Sequence, residues 1–189
     1  MLLQNGEKWR SVVSNPFLRR VVARLLSGGV LAAFCVPLHL GAEERSTLLE
    51  AARSVIASAG YPALITLDER GQPRARTVDA FVPDDDFVVW VATRPVTRKV
   101  KQIKAHRSVT LYYFSAELSS YVTLMGDASL VSDTVTKRAM RRVQDHEKLY
   151  PHFPDDYILI KVVPNRLEGV LPGFRGDEKT WEPVGVNFP

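Results

Sequence analysis

Cysteine is almost absent from this chain of 189 residues: Cys35 stands alone, inside an apolar run. If that run is removed on maturation, no thiol remains. An intramolecular disulfide, a cysteine nucleophile and a thiolate metal site are then excluded. Histidine is scarce as well. Beyond His39 there are only His106, His146 and His152, without ligand-like spacing, so no metal centre is expected. A general surplus of charge is also missing. Lys8, Arg10, Arg19, Arg20 and Arg24 face a single acid, Glu7, in the first 42 residues, so that stretch accounts for the whole formal charge of +4. The remainder is balanced, which argues against a basic body built to bind nucleic acid.

A membrane-length apolar run is lacking too. The uncharged stretch Leu25 to Leu40 has 16 residues and contains Gly28, Gly29 and Pro37. As a helix it would reach roughly 24 Å, short of a hydrocarbon core of ~30 Å. Preceded by basic residues ending at Arg24 and followed by the small Gly41 and Ala42, it reads as a secretory signal covering residues 1–42. Cleavage after Ala42 and export to the periplasm or another extracytoplasmic space are expected. An uncleaved membrane anchor is the alternative. Once the leader is removed, no stable membrane span is expected.

What is present is one domain's worth of core, with 46% hydrophobic residues. Ser46 offers a hydroxyl cap, and Leu49, Ala52, Val55, Ile56 and Ala59 recur at helical spacing up to Gly60. From Tyr61 the period shortens to β runs divided by turn residues. The runs are Ala63 to Leu67, Pro73 to Val82 after the turn Asp68-Glu-Arg-Gly71, Phe87 to Ala92, Val109 to Ser115, Tyr121 to Val131, Tyr157 to Val163 and Arg166 to Val170. Two helices interrupt them: Val96 to His106, aligning Val96, Val100 and Ile103, and Thr134 to Glu147, aligning Val135, Ala139 and Val143 behind Asp133 as cap. The expected fold is mainly β (α+β), an antiparallel barrel, closed or nearly so, spanning residues 43–171. The tail 172–189, rich in Pro and Gly, is expected to be irregular, with Trp181 as its one tryptophan. Trp90, within a dense β run, is expected in the core.

The segment Thr93 to Arg107 holds six Lys or Arg and no acid, in a domain otherwise balanced. An anion is expected there. Thr93 or Thr97 can cap a helix, Pro95 suits its first turn, and the free N–H groups of a helix start favour phosphate. Arg98 and Lys99 sit at that start and are read as ligand-binding, whereas Lys101, Lys104 and Arg107 are read as a solvated face. Arg74 and Arg76, two apart on a strand, point to one side. Either an anion or a carboxylate, Asp79 or another, would satisfy them. The acidic run Asp84-Asp-Asp86 reads as a hairpin turn.

These residues carry a resemblance. Gly71-x-Pro-x-x-Arg76-Thr-Val, Trp90-Val-Ala-Thr93, Thr97-Arg-Lys99, Tyr121-Val-Thr-Leu-Met-Gly126, Tyr150-Pro-His-Phe-Pro154, Tyr157-Ile-Leu-Ile160 and Pro164-x-Arg166-Leu-Glu168 follow one another in an order similar to the pyridoxamine 5'-phosphate oxidase-like family of FMN-binding split barrels. The ordered combination, spanning roughly Ser46 to Leu171, is specific; no single motif is. The resemblance implies a six-stranded split β-barrel with short flanking helices, acting as a homodimer with FMN in clefts between subunits. By position, Arg76, Thr77 and Val78 would line the flavin from one strand, Ala92 and Thr93 from the next, and Arg98 with Lys99 would hold the phosphate.

Tyr121 falls where an amide side chain touches the flavin in true pyridoxamine phosphate oxidases, and Phe81 falls near their lysine for the substrate phosphate. Both departures point away from pyridoxamine 5'-phosphate as substrate and toward the general stress protein type. The implied function is an FMN-dependent oxidoreductase acting on an unknown small molecule, with no catalytic side chain assigned. A non-catalytic flavin- or haem-binding protein and a deazaflavin-dependent reductase are the alternatives.

Overall fold

The computed structural model describes residues 41–189. Of the expected leader only Gly41 and Ala42 fall within them, both exposed at the start of the first helix; the rest lies outside the described residues. Among the described residues no helix is long and apolar enough to cross a membrane.

Helix α1 (Ala42–Ala59) begins four residues before the expected Ser46, with Glu43 and Glu44 in its first turn where the helix dipole favours acids. The Thr47 hydroxyl donates back to the Glu43 carbonyl, 3.0 Å away, so hydroxyls here sit inside the helix and do not cap it. Its buried stripe is Leu48, Ala52, Val55 and Ile56, packed on two central strands, β4 (Ser108–Ser115) and β5 (Ser120–Val131). Gly60, at φ 69°, ends it.

The first hairpin follows the sequence closely. Strands β1 (Ala63–Leu67) and β2 (Pro73–Thr77) pair antiparallel across a turn in which Asp68 accepts from the backbone N–H groups of Arg70 and Gln72 at 2.9 and 3.0 Å. Gly71 supplies the required positive φ of 73°. Strand β2 stops at Thr77, short of the expected Val82, and only an isolated bridge from Ala80 to Val91 continues it. Strand β3 (Val89–Thr93) starts later than expected because Phe87 takes a turn conformation at φ 61°.

Helix α2 (Arg98–Ala105) buries Val100 and Ile103. Val96 lies before the helix and is 89% exposed, so it does not belong to that face. Helix α3 (Thr134–Met140) has the expected Asp133 cap, 2.8 Å from the Thr136 N–H. It ends seven residues before the expected Glu147, however. Val135 and Val143 are exposed, and the buried side chain is Lys137, whose ammonium donates to the Pro154 carbonyl at 2.7 Å. Residues 141–156 instead fold into turns around Asp145.

Strand β6 (Ile158–Val170) is one long strand where two were expected. It bulges opposite Met125 and Gly126, which absorbs Pro164 and its missing N–H. A side chain at position 126 would collide with the Val163 carbonyl, so glycine is required at that crossing. The tail is not wholly irregular: β7 (Val184–Asn187) pairs with β6 and buries Val186 in the core. The sheet therefore has seven strands, not six. Its path runs β2-β1-β4-β5-β6-β3, with β7 also on β6. It does not close: β2 and β3 end the path, and β7 is paired on one side only, to β6. The main core lies under α1. A second cluster of Tyr150, Tyr157 and Leu159, joined by Phe81, Trp90 and Phe153, lies under the 141–156 turns. Trp90 is partly buried there, with the Lys161 ammonium 5.5 Å from its ring.

Candidate functional site: a cationic junction of β2, β3 and α2

Arg76 leaves β2 opposite Leu64 of β1 and turns toward α2. Its guanidinium donates to the Leu64 carbonyl at 3.2 Å, the Thr66 hydroxyl at 2.6 Å and the Gln102 side-chain oxygen at 2.8 Å. Thr66 in turn donates to the same Gln102 oxygen at 2.7 Å. One helix side chain thus ties two strands to α2. Lys99, in the first turn of α2, donates to the hydroxyl of Thr93, the last residue of β3, at 2.8 Å. Thr93 is 5% exposed. The Thr97 hydroxyl lies 3.4 Å from that of Thr93 and bonds the Arg94 carbonyl at 3.0 Å, leaving the helix start uncapped by a side chain.

Every partner of Arg76 and Lys99 is a neutral acceptor. Among the described residues no carboxylate lies within ion-pair distance of Arg76, Arg98 or Lys99. Burial, and next the charge of Arg98, hold the Arg76 guanidinium below its ordinary value. Burial, and next Arg76, do the same to the Lys99 ammonium. Half-buried cations without a counter-ion are costly, and a phosphate placed among them would reverse the penalty.

Arg74 is a different case. It pairs with Asp68 at 2.7 Å, so a carboxylate satisfies it as the open alternative allowed. The carboxylate is not Asp79, which pairs with Arg142 at 3.0 Å. Lys101 pairs with Glu69, and Lys104 and Arg107 are exposed, as a solvated face requires.

Thr77 is exposed beside Arg76, Val78 is buried in the main core, and Ala92 packs on the second cluster. Tyr121 is not brought to the junction within one chain. Register connects Arg76 through Leu64 and Leu111 to Leu124, all on one side of the sheet. Tyr121 is three residues from Leu124, hence on the opposite side and about 10 Å along the strand. There its ring lies 5.6 Å from that of Tyr112, near the exposed Phe114. Trp181 is exposed on a turn at φ 62°. Asp84 folds the turn before β3, accepting from the Asp86 and Val88 N–H groups. The described residues contain no group of three His, Cys, Asp or Glu placed to hold a metal.

Thr66 and Gln102 were not singled out from sequence. Their signal is a polar residue at an inward position of β1 and an amide on the inward side of a basic helix. Also unforeseen is the network in which buried Asp145 accepts from Arg142 and from the Tyr157 hydroxyl, at 3.2 and 3.1 Å, with the Arg142 guanidinium 4.0 Å from the centre of the Phe81 ring.

The sequence profile of the pyridoxamine 5'-phosphate oxidase family matches residues 48–170. No curated protein sequence matches the chain. Among solved structures, general stress protein 26 from Bacillus anthracis str. Sterne is 22% identical, with a TM-score of 0.57 over 75% of this chain and 98% of its own. A protein related to general stress protein 26 from Clostridium acetobutylicum is 17% identical, with a TM-score of 0.61 over 75% and 94%. A pyridoxamine 5'-phosphate oxidase-related, FMN binding protein from Nostoc punctiforme PCC 73102 is 16% identical, with a TM-score of 0.51 over 77% and 96%. At these identities the likeness is one of fold.

Proposed function

The chain belongs to the pyridoxamine 5'-phosphate oxidase family, and from that membership we propose that it is an FMN-dependent oxidoreductase acting on a small molecule as a homodimer. The observation that carries this reading is a cluster of cations without a counter-ion: Arg76 and Lys99 bond only neutral acceptors, and the charge of Arg98 acts on Arg76. That donor set fits a phosphate monoester. Arg76 and Lys99 would bind the phosphate, Arg98 would flank it from the surface, and Thr93 would keep the Lys99 ammonium aimed. FMN, when bound, supplies the hydride- and electron-accepting ring, while the protein contributes orientation and electrostatics.

The outer side of β4 and β5 supports the dimer. Tyr112, Phe114 and Tyr121 form a half-apolar patch on it, with Phe114 56% exposed. A second copy covering this patch would bury Tyr121 in the contact between subunits, away from its own chain's junction. Phe81 packs beneath Arg142 where a substrate-phosphate lysine would be needed, which disfavours pyridoxamine 5'-phosphate as substrate. The proposal includes export of the mature domain, tested by sequencing the N-terminus of protein purified from its own host.

The decisive experiment is reconstitution with FMN. A bound-flavin visible spectrum, bleached by a nicotinamide or chemical donor and restored by an acceptor, is the expected result. Absence of both binding and reduction overturns the reading. Binding without turnover of any donor would leave a flavin carrier instead.

A further inference from the structure

Away from the cationic junction, the last turns of α1 and the segment joining β2 to β3 enclose a cavity of about 280 Å³. Arg53, Ile56, Ala57 and Gly60 line one wall, residues 80–83 line the other, and Tyr113 of β4 completes the lining. Neither Arg76 nor Arg98 nor Lys99 takes part.

The lining is apolar apart from two side chains, and these two differ. The Arg53 guanidinium is engaged: it donates to the Asp84 and Asp85 carbonyls at 2.9 and 2.8 Å and lies 4.0 Å from the centre of the Phe87 ring. Tyr113 is 1% exposed, and its hydroxyl has no hydrogen-bond partner among the described residues. Burial pushes this hydroxyl up, so it keeps its proton and remains a donor near neutral pH. A buried donor left unpaired is costly, and phenylalanine would fill the same core position without that cost. The hydroxyl is thus the one specific handle the cavity offers, and it calls for an acceptor.

Charge narrows the choice of acceptor. Gly60 ends α1, so the carbonyl end of a helix with no basic residue in its last turn borders the cavity. Asp84, Asp85 and Asp86 follow Pro83 directly, and none of them is ion-paired among the described residues. Both features repel an anion. The volume lies close to ~300 Å³, the small end of ligand sites, which suits one ring with a short substituent. We propose that this cavity binds a small, uncharged, ring-bearing molecule whose carbonyl oxygen accepts a hydrogen bond from the Tyr113 hydroxyl. The site is separate from the cationic junction and stands whether or not a flavin binds there.

The test is calorimetric titration of the full chain with three probes of one size. Acetophenone carries the carbonyl, α-methylstyrene replaces its oxygen by a methylene in the same planar shape, and benzoate adds a negative charge. Each is titrated into wild type, into Tyr113→Phe, which keeps the core ring, and into Ala57→Trp, which fills the cavity from an exposed helix position. Acetophenone is expected to bind wild type and to lose about tenfold in affinity in Tyr113→Phe, the size of one hydrogen bond, while α-methylstyrene binds both proteins alike. Ala57→Trp should exclude both, and benzoate should bind wild type at least about tenfold more weakly than acetophenone. An acetophenone affinity unchanged in Tyr113→Phe, or no binding to wild type, overturns the proposal. Binding that survives Ala57→Trp, or that added FMN displaces, places the ligand elsewhere and overturns it as well. Benzoate bound as tightly as acetophenone overturns the uncharged class.

Discussion

The Arg76 guanidinium and the Gln102 side-chain oxygen are joined by a 2.8 Å hydrogen bond that fixes the first helix turns after β3 to the edge hairpin. Because Gln102 is neutral, it positions Arg76 without cancelling its charge. Gln102→Glu keeps the shape and both accepted hydrogen bonds but adds the missing counter-ion. FMN binding is expected to weaken by about 1–2 kcal/mol, with folding stability unchanged or higher. Flavin fluorescence titration of the two proteins checks this, and equal affinities would remove Arg76 from the phosphate site.

Lys99 gives a pH signature. Its value is lowered by burial and by Arg76, and a phosphate bound beside it would raise it again. Affinity carried by the charged ammonium is therefore fully present below the lowered value and lost as pH rises through it, before an ordinary lysine would titrate. Lys99→Ala should weaken FMN binding by about 1–3 kcal/mol and abolish this alkaline loss. Affinity measured from neutral to alkaline pH for both proteins tests the sign. A wild-type curve flat across that range contradicts it.

The sequence made most of this legible, for identifiable reasons. The hairpin at Asp68 to Gly71 is local turn chemistry, and the basic segment stands out because the rest of the domain is neutral. Helix α3 was overextended because Val135, Ala139 and Val143 share a helical period, yet Asp145 draws the following residues into turns through Arg142 and Tyr157. Strand β7 escaped because Val184 and Val186 are too short a run to stand out after Pro183, and only pairing with β6 makes them a strand. Thr66 and Gln102 escaped because each matters through the other: neither has meaning until β1 and α2 are brought together.

The outer patch on β4 and β5 tests the assembly. Phe114→Glu places a charge on an exposed ring position, so the single chain should fold with little change in Tm. The dimer should dissociate, because the substitution buries an unpaired carboxylate at the subunit contact. Sedimentation of the wild type as a dimer and of the variant as a monomer is the expected pair of results. A dimeric variant would move the contact to another face.

Tyr113 on β4 is 1% exposed, and its hydroxyl has no hydrogen-bond partner among the described residues. Burial pushes this hydroxyl up, above the ordinary value of about 10. A group whose folded value is raised supports the fold fully below its unfolded value, and that support drains as pH rises through the range between the two. Tyr113→Phe removes an unsatisfied buried hydroxyl while keeping the ring that packs in the core. Near neutral pH the variant should be as stable as wild type or more so by up to about 1 kcal/mol. Above about pH 10 the advantage should grow, since wild type alone then carries the cost of keeping this hydroxyl protonated. Urea midpoints of both proteins at pH 7 and at pH 10.5 provide the measurement. A variant less stable by more than about 1 kcal/mol at neutral pH would mean that the hydroxyl has a partner after all.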